Sequence, residues 1–237
     1  GDINGQLRQA IQADLAAAHV HSPAKFADAT DRYSRIMLGL SMAFLLVPCA
    51  CGASFLAVWL GPKAYVNGAL VVGLMGLYRS IELCYGTYGA AMTLSMKPQY
   101  LVWPVMWNGV CTVVFTVPMV RKFGIEGIAY MNVSIHLLQM APLVWLMSKK
   151  IAPGLSFTRH IAGILSILGC GIAVSLLCYW LVHRPYFLAH PFVGLFLIPF
   201  GSALVLALIF GMKLAPLPDP VVRRLAGVLP RLAAHFQ

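Results

Sequence analysis

Acidic side chains are what this chain has least of: 7 Asp and Glu against 17 Lys and Arg in 237 residues, with charged residues at 10% and hydrophobic ones at 60%. A soluble domain carries roughly 25% charged residues. A surface this poor in charge is not made for water, and at a mean hydropathy of +0.81 the apolar excess has to face lipid. Period-two alternation is also lacking. That removes a membrane barrel and leaves helices, because backbone groups in lipid must pair within one or the other. There is no Walker sequence, no H-E-x-x-H and no G-x-S-x-G. ATP-driven chemistry is therefore not expected, no catalytic residue is assigned, and the chain is not read as an enzyme. The six cysteines (Cys49, Cys51, Cys84, Cys111, Cys170, Cys178) all lie in apolar runs. Cys49 and Cys51 point to different helix faces. No disulfide framework, redox pair or metal site is predicted, and all six are expected to be small buried hydrophobes.

What remains is apolar and helical in length. A hydrocarbon core about 30 Å thick takes about 20 residues of helix. Six stretches qualify: 36–60, 66–92, 101–120, 125–147, 161–182 and 192–212. The predicted fold is all-α, a polytopic membrane protein with a six-transmembrane-helix bundle. Ser22-Pro23 reads as a cap followed by proline in the first turn. Gly61-Pro62, Pro98, Gly124, Pro153-Gly154 and Arg184-Pro185 separate the spans. Pro48, Pro104, Pro118, Pro142 and Pro199 fall inside them and predict kinks, with neighbouring helices satisfying the freed carbonyls.

The basic residues sit between the apolar runs, twelve on one side and four on the other, with Arg79 inside a span. By the positive-inside rule the richer side is cytoplasmic, with both termini there. The charge is thus explained by topology, and a nucleic-acid partner is not expected. Ile3, Leu7, Ile11 and Leu15 form an apolar stripe near the start. Val221, Leu225, Val228 and Leu232, flanked by Arg223, Arg224 and Arg231, read either as a basic amphipathic helix on anionic membrane lipids or as a disordered basic tail. The opening at Gly1 on polar, helix-patterned residues suggests the C-terminal part of a longer protein.

Charge inside a span is costly and is the first place to look for function. Arg79 and Glu82 share one helix face, which continues through Gly86, Gly89 and Thr93. Either the two neutralise each other and lock the helix to its neighbours, or Arg79 attracts an anionic headgroup while Glu82 serves as counter-ion, proton or sodium site. Asn132, His136 and Gln139 form a second stripe, able to line a sugar path, receive a proton or bind helices together. Arg79 and this second stripe are expected to face the interior. Asn108 is a weaker candidate. Gly163, Ser166, Cys170 and Ala173, with Gly169, predict close helix packing. Trp59, Tyr100, Trp103 and Trp180 read as interfacial anchors.

Three segments carry a family resemblance: Arg32-Tyr33-Ser34-Arg35 before the first span, Trp59-Leu60-Gly61-Pro62-Lys63-Ala64-Tyr65 after it, and Phe123-Gly124-Ile125-Glu126-Gly127-Ile128-Ala129 opening the fourth. Tyr88-Gly89-Ala90-Ala91 followed by Lys97 adds a further likeness. The chain resembles the C-terminal half of the polysaccharide flippases of the multidrug/oligosaccharidyl-lipid/polysaccharide exporter superfamily. The resemblance implies one lobe of a two-lobe exporter working by alternating access in a bacterial inner membrane. Its substrate would be undecaprenyl-linked oligosaccharide for surface polysaccharide. No cofactor is implied beyond a coupling ion such as H+ or Na+, or the membrane potential. Residues 1–32 would be a cytoplasmic interlobe linker, 33–213 the transmembrane lobe and 214–237 a basic tail, with an N-terminal lobe expected as partner. The rivals are a drug or small-cation exporter of the same superfamily, which Glu82 would suit, and a membrane polymerase or ligase acting on lipid-linked sugars. The short outer loops argue against the latter.

Overall fold

The computed structural model describes residues 3–61 and 64–216. Among these residues all regular structure is helical, and six segments are long and apolar enough to cross a membrane. Helix α1 (Ile3–His21) precedes α2 (Pro23–Ser41), which continues through a π-helical turn at Met42–Leu46 into α3 (Val47–Ala50). The first span is therefore Pro23–Ala50, and α4 (Gly52–Leu60) extends it after a break at Cys51. Ser22 caps α2, its hydroxyl accepting from the Lys25 N–H at 3.2 Å, with Pro23 in the first turn. Next come α5 (Ala64–Leu94), α6 (Val102–Phe123), entered through a 3-10 turn at Pro98–Leu101, and α7 (Glu126–Leu146), extended by a π turn at Met147–Ile151. Helix α8 (Phe157–Val182) is the fifth span. The sixth is split into α10 (Pro191–Leu195) and α11 (Leu197–Gly211), after the short α9 (Pro185–Ala189). The basic tail beyond 216 lies outside the described residues.

The expected spans are all present, several longer than the apolar runs alone. The boundary expected at 32/33 falls inside α2, and Phe26, Ala27, Ala29 and Thr30 are buried with the lobe. Ile11 and Leu15 of the first stripe are buried too, because α1 packs on α2 and α5. That packing makes α1 a wall of the lobe.

The main core lies where α2, α3, α5, α8 and α11 meet. Two polar joints hold it. Ser41 and Ser80 each donate to the other's carbonyl at 3.2 Å, tying α2 to α5. The second joint follows from Pro48. In the π register of Met42–Leu46, the carbonyl facing residue 48 is that of Ala43, and proline has no N–H to give it. Ser202 of α11 supplies the donor instead, at 2.6 Å.

The α6–α7 hairpin hangs on this core mainly through α7. Its turn depends on two glycines. Gly124 has φ +62°, and a Cβ on Gly127 would run into the Met119 carbonyl. Side chains of any size would push α6 and α7 apart. The packing face of α8 differs from expectation. Gly163 is buried, but Ser166, Gly169 and Ala173 are exposed. The buried row runs instead through Gly163, Ile164, Ile167, Gly171, Val174 and Cys178, the 3.6-residue stripe that turns toward α2 and α11. Cys49 and Cys170 are only partly buried, and all six cysteines are free thiols. Trp59 and Trp180 are exposed at span ends, and the Arg184 guanidinium lies 3.5 Å over the Trp180 ring.

Candidate functional site

Helices α5, α6 and α7 border a half-open pocket of about 140 Å³ in the membrane-spanning part of the bundle. Glu82, Tyr85 and Tyr88 of α5, Asn108 of α6, and His136 and Gln139 of α7 supply its polar groups, and Val105 and Leu143 part of its apolar wall. The α7 stripe thus turns inward as expected: His136 and Gln139 are buried and Asn132 half-buried.

His136 is held in one orientation. Its Nδ1 lies 2.9 Å from the Asn132 carbonyl, and a nitrogen facing a carbonyl must donate. In the neutral ring Nε2 is then an acceptor. Tyr78 meets the ring edge-on at 4.7 Å and Tyr85 stacks at 6.0 Å, while the Tyr85 hydroxyl donates to the His136 carbonyl at 2.5 Å. Gln139 is 1% exposed, yet both polar atoms of its amide lack a protein partner, as does Asn108 Oδ1. Each such group costs about 1–3 kcal/mol when left unpaired. The pocket has room for more than one water. These amides are poised to bind water or a hydroxyl-rich ligand.

Arg79 corrects an expectation. It does not face the interior: the Arg79 and Glu82 side chains are 59% and 43% exposed, paired at 2.5 Å, with Arg79 5.0 Å over the Tyr78 ring. The inward face of α5 is taken by Ile81, Cys84, Tyr88, Ala91 and Met92, which leaves Arg79 on an open flank and Glu82 at the pocket's edge. Both lie near the middle of the Gly68–Leu94 span. The rest of that polar face is only partly covered, with Gly86 and Gly89 half-buried and Thr93 exposed. Gly86, Gly89 and Thr93 line a cavity of about 310 Å³ with Ile11 and Gln12 of α1.

The site therefore joins Glu82, His136 and Gln139, with Arg79 outside the pocket and Asn132 behind His136. The sequence reading missed Tyr85, which reads as a core aromatic until its i+3 relation to Glu82 is noticed. Among the described residues no group of three His, Cys, Asp or Glu side chains is placed to hold a metal. Comparisons with protein-family models, with curated proteins and with solved structures return no match, so the chain stands on its own geometry.

Proposed function

We propose that the chain is one lobe of a flippase moving lipid-linked oligosaccharide, of the undecaprenyl-linked kind, across a bacterial inner membrane by alternating access. The observation that carries this reading is the open Arg79–Glu82 pair at mid-span beside a polar pocket. Facing acyl chains, an Arg there costs about 3 kcal/mol on insertion scales and more in simulation. An aqueous cavity or a second lobe covering this flank relieves that cost. A two-lobe exporter supplies both.

In such a cavity the guanidinium suits a diphosphate or an acidic sugar, for which it offers paired donors. The free amides of Gln139 and Asn108 suit sugar hydroxyls. Driving comes from an ion gradient or the membrane potential. The basic ends pair up: Lys97, after α5, donates to the Lys150 carbonyl after α7 at 2.5 Å, and Arg35 of α2 donates to the Arg159 carbonyl of α8 at 3.1 Å. In this reading that end, with both termini, is cytoplasmic.

The test is complementation. The full-length gene is expressed in cells lacking their oligosaccharide flippase but making its glycan, and surface polysaccharide is assayed. Rescue by wild type, lost in Arg79→Ala, Glu82→Gln or His136→Ala at matched membrane levels, supports the reading. A well-inserted wild type that fails to rescue in the host of origin overturns it. Sensitivity to cationic drugs on deletion would favour the exporter instead.

A further inference from the structure

We propose that His160, set between Asp31 and Tyr88, is a proton-holding site built into the wall between two cavities of the lobe. Its use as the coupling site rests on the transport reading above; its existence does not.

Three helices bring the site together across long stretches of chain. Asp31 Oδ1 on α2 accepts from Arg35 Nε at 2.9 Å and also meets His160 Nδ1 on α8. The other ring nitrogen, Nε2, lies 2.6 Å from the Tyr88 hydroxyl on α5. Asp31 and His160 border a cavity of about 170 Å³ at the start of α8, while Tyr88 borders the pocket of Glu82 and Gln139. One imidazole therefore separates two cavities, with a proton-exchanging group on each nitrogen. His160 and Tyr88 are each 1% exposed. Packing alone gives no reason for a histidine here, since a buried polar ring costs free energy that a leucine would not.

The surrounding charges leave room for one proton. From α2 come Asp28, Asp31 and Arg35, with the Ser34 hydroxyl against Tyr88; from α5 comes Cys84, 3.9 Å from the Tyr88 hydroxyl; from α8 comes Arg159. The two carboxylates and two guanidiniums balance, and Arg35 shares the Asp31 Oδ1 atom with the His160 ring. Gly163 leaves the space for that guanidinium, because a Cβ there would collide with it. In the empty state Nδ1–H donates to Asp31 and the Tyr88 O–H donates to Nε2. Loading adds one proton at Nε2, delivered as hydronium through the pocket and leaving a neutral water behind. The Tyr88 hydroxyl turns from donor to acceptor, and the Asp31 carboxylate faces the new imidazolium. Release reverses the step, and no electrons move.

A ligand seated against Tyr88 competes for the hydroxyl that admits the proton, so filling the pocket and loading His160 are linked. The decisive measurement uses the chain labelled with 15N-histidine in lipid nanodiscs, followed from about pH 5 to about pH 8. The His160 signals are identified by their loss in His160→Gln. The expected result is a ring singly protonated at high pH and doubly protonated at low pH. Asp31→Asn should remove the doubly protonated form from this range, and Tyr88→Phe should slow exchange between the two. A His160 ring that keeps one proton throughout in folded wild type overturns the site, even where complementation succeeds. A titrating His160 with failed complementation keeps the site and removes its transport role. Should Asp31→Asn not fold, the wild-type titration alone decides.

Discussion

The first span and the third are built of similar material and live in different surroundings. In Pro23–Ala50, 61% of the most apolar stretch is buried by the rest of the chain; in Pro98–Phe123 the share is 6%. The first is crossed by α5, α8 and α11 and carries a polar joint to each of them: Ser41 with Ser80, Asp31 with His160, and Ala43 with Ser202. The third touches its own hairpin partner through Cys111, Met131, Ile135 and Met119 and shows Val110, Val113, Val114 and Val117 outward. Lipid is as good a solvent for those valines as protein is. Apolar area therefore holds nothing together here, and close approach and hydrogen bonds do the holding.

Breaking the first region should cost most. Arg35→Ala leaves Asp31 with His160 alone and frees the Arg159 carbonyl. About 1.5–3 kcal/mol of stability should be lost, read from reversible unfolding in mixed micelles. In the second region, Gly127→Leu should cost about 1–3 kcal/mol by forcing α6 off α7 and should open the 121–126 turn to protease. Gly109→Ala, whose Cβ would meet nothing within 4 Å, should cost nothing by either assay. Between the two regions, Gln139→Leu should gain about 1 kcal/mol by removing unpaired amide groups, while abolishing rescue in the complementation assay. Stability and function would then move in opposite directions at one residue. Smaller than that gain, Ser202→Ala should lose about 0.6 kcal/mol, the usual worth of a hydrogen bond between membrane helices.

The contrast also explains what could be read from the sequence. The number of spans follows from local composition and was legible, but the first lies at Pro23–Ala50, well before the expected 36–60. Also legible were the Ser22 cap, the Gly124 turn and the inward stripe of His136 and Gln139, since each depends on neighbours within one or two helical turns. The Arg79 direction was not legible. Charge in a span says that lipid is excluded, but leaves open whether this lobe or something else excludes it. The Asp31–His160–Tyr88 cluster was hidden for another reason. Asp31 and His160 are 129 residues apart; one lay in a presumed linker and the other one residue before the apolar run 161–182. The packing of α8 was misread because small residues suggested an interface that its bulkier neighbours Ile164 and Ile167 form.

Pro48 sets a condition on how this protein is made. When the first span leaves the ribosome and moves into the bilayer, the Ala43 carbonyl has no donor on its own helix. Its donor, Ser202, is synthesised more than 150 residues later. Until the sixth span arrives, the first must stay near water or near the insertion machinery to keep that oxygen solvated. Maturation is thus completed by closing the last helix onto the first, and a nascent chain halted before Ser202 would hold its first two spans together through Ser41 and Ser80 while the Ala43 carbonyl stayed open.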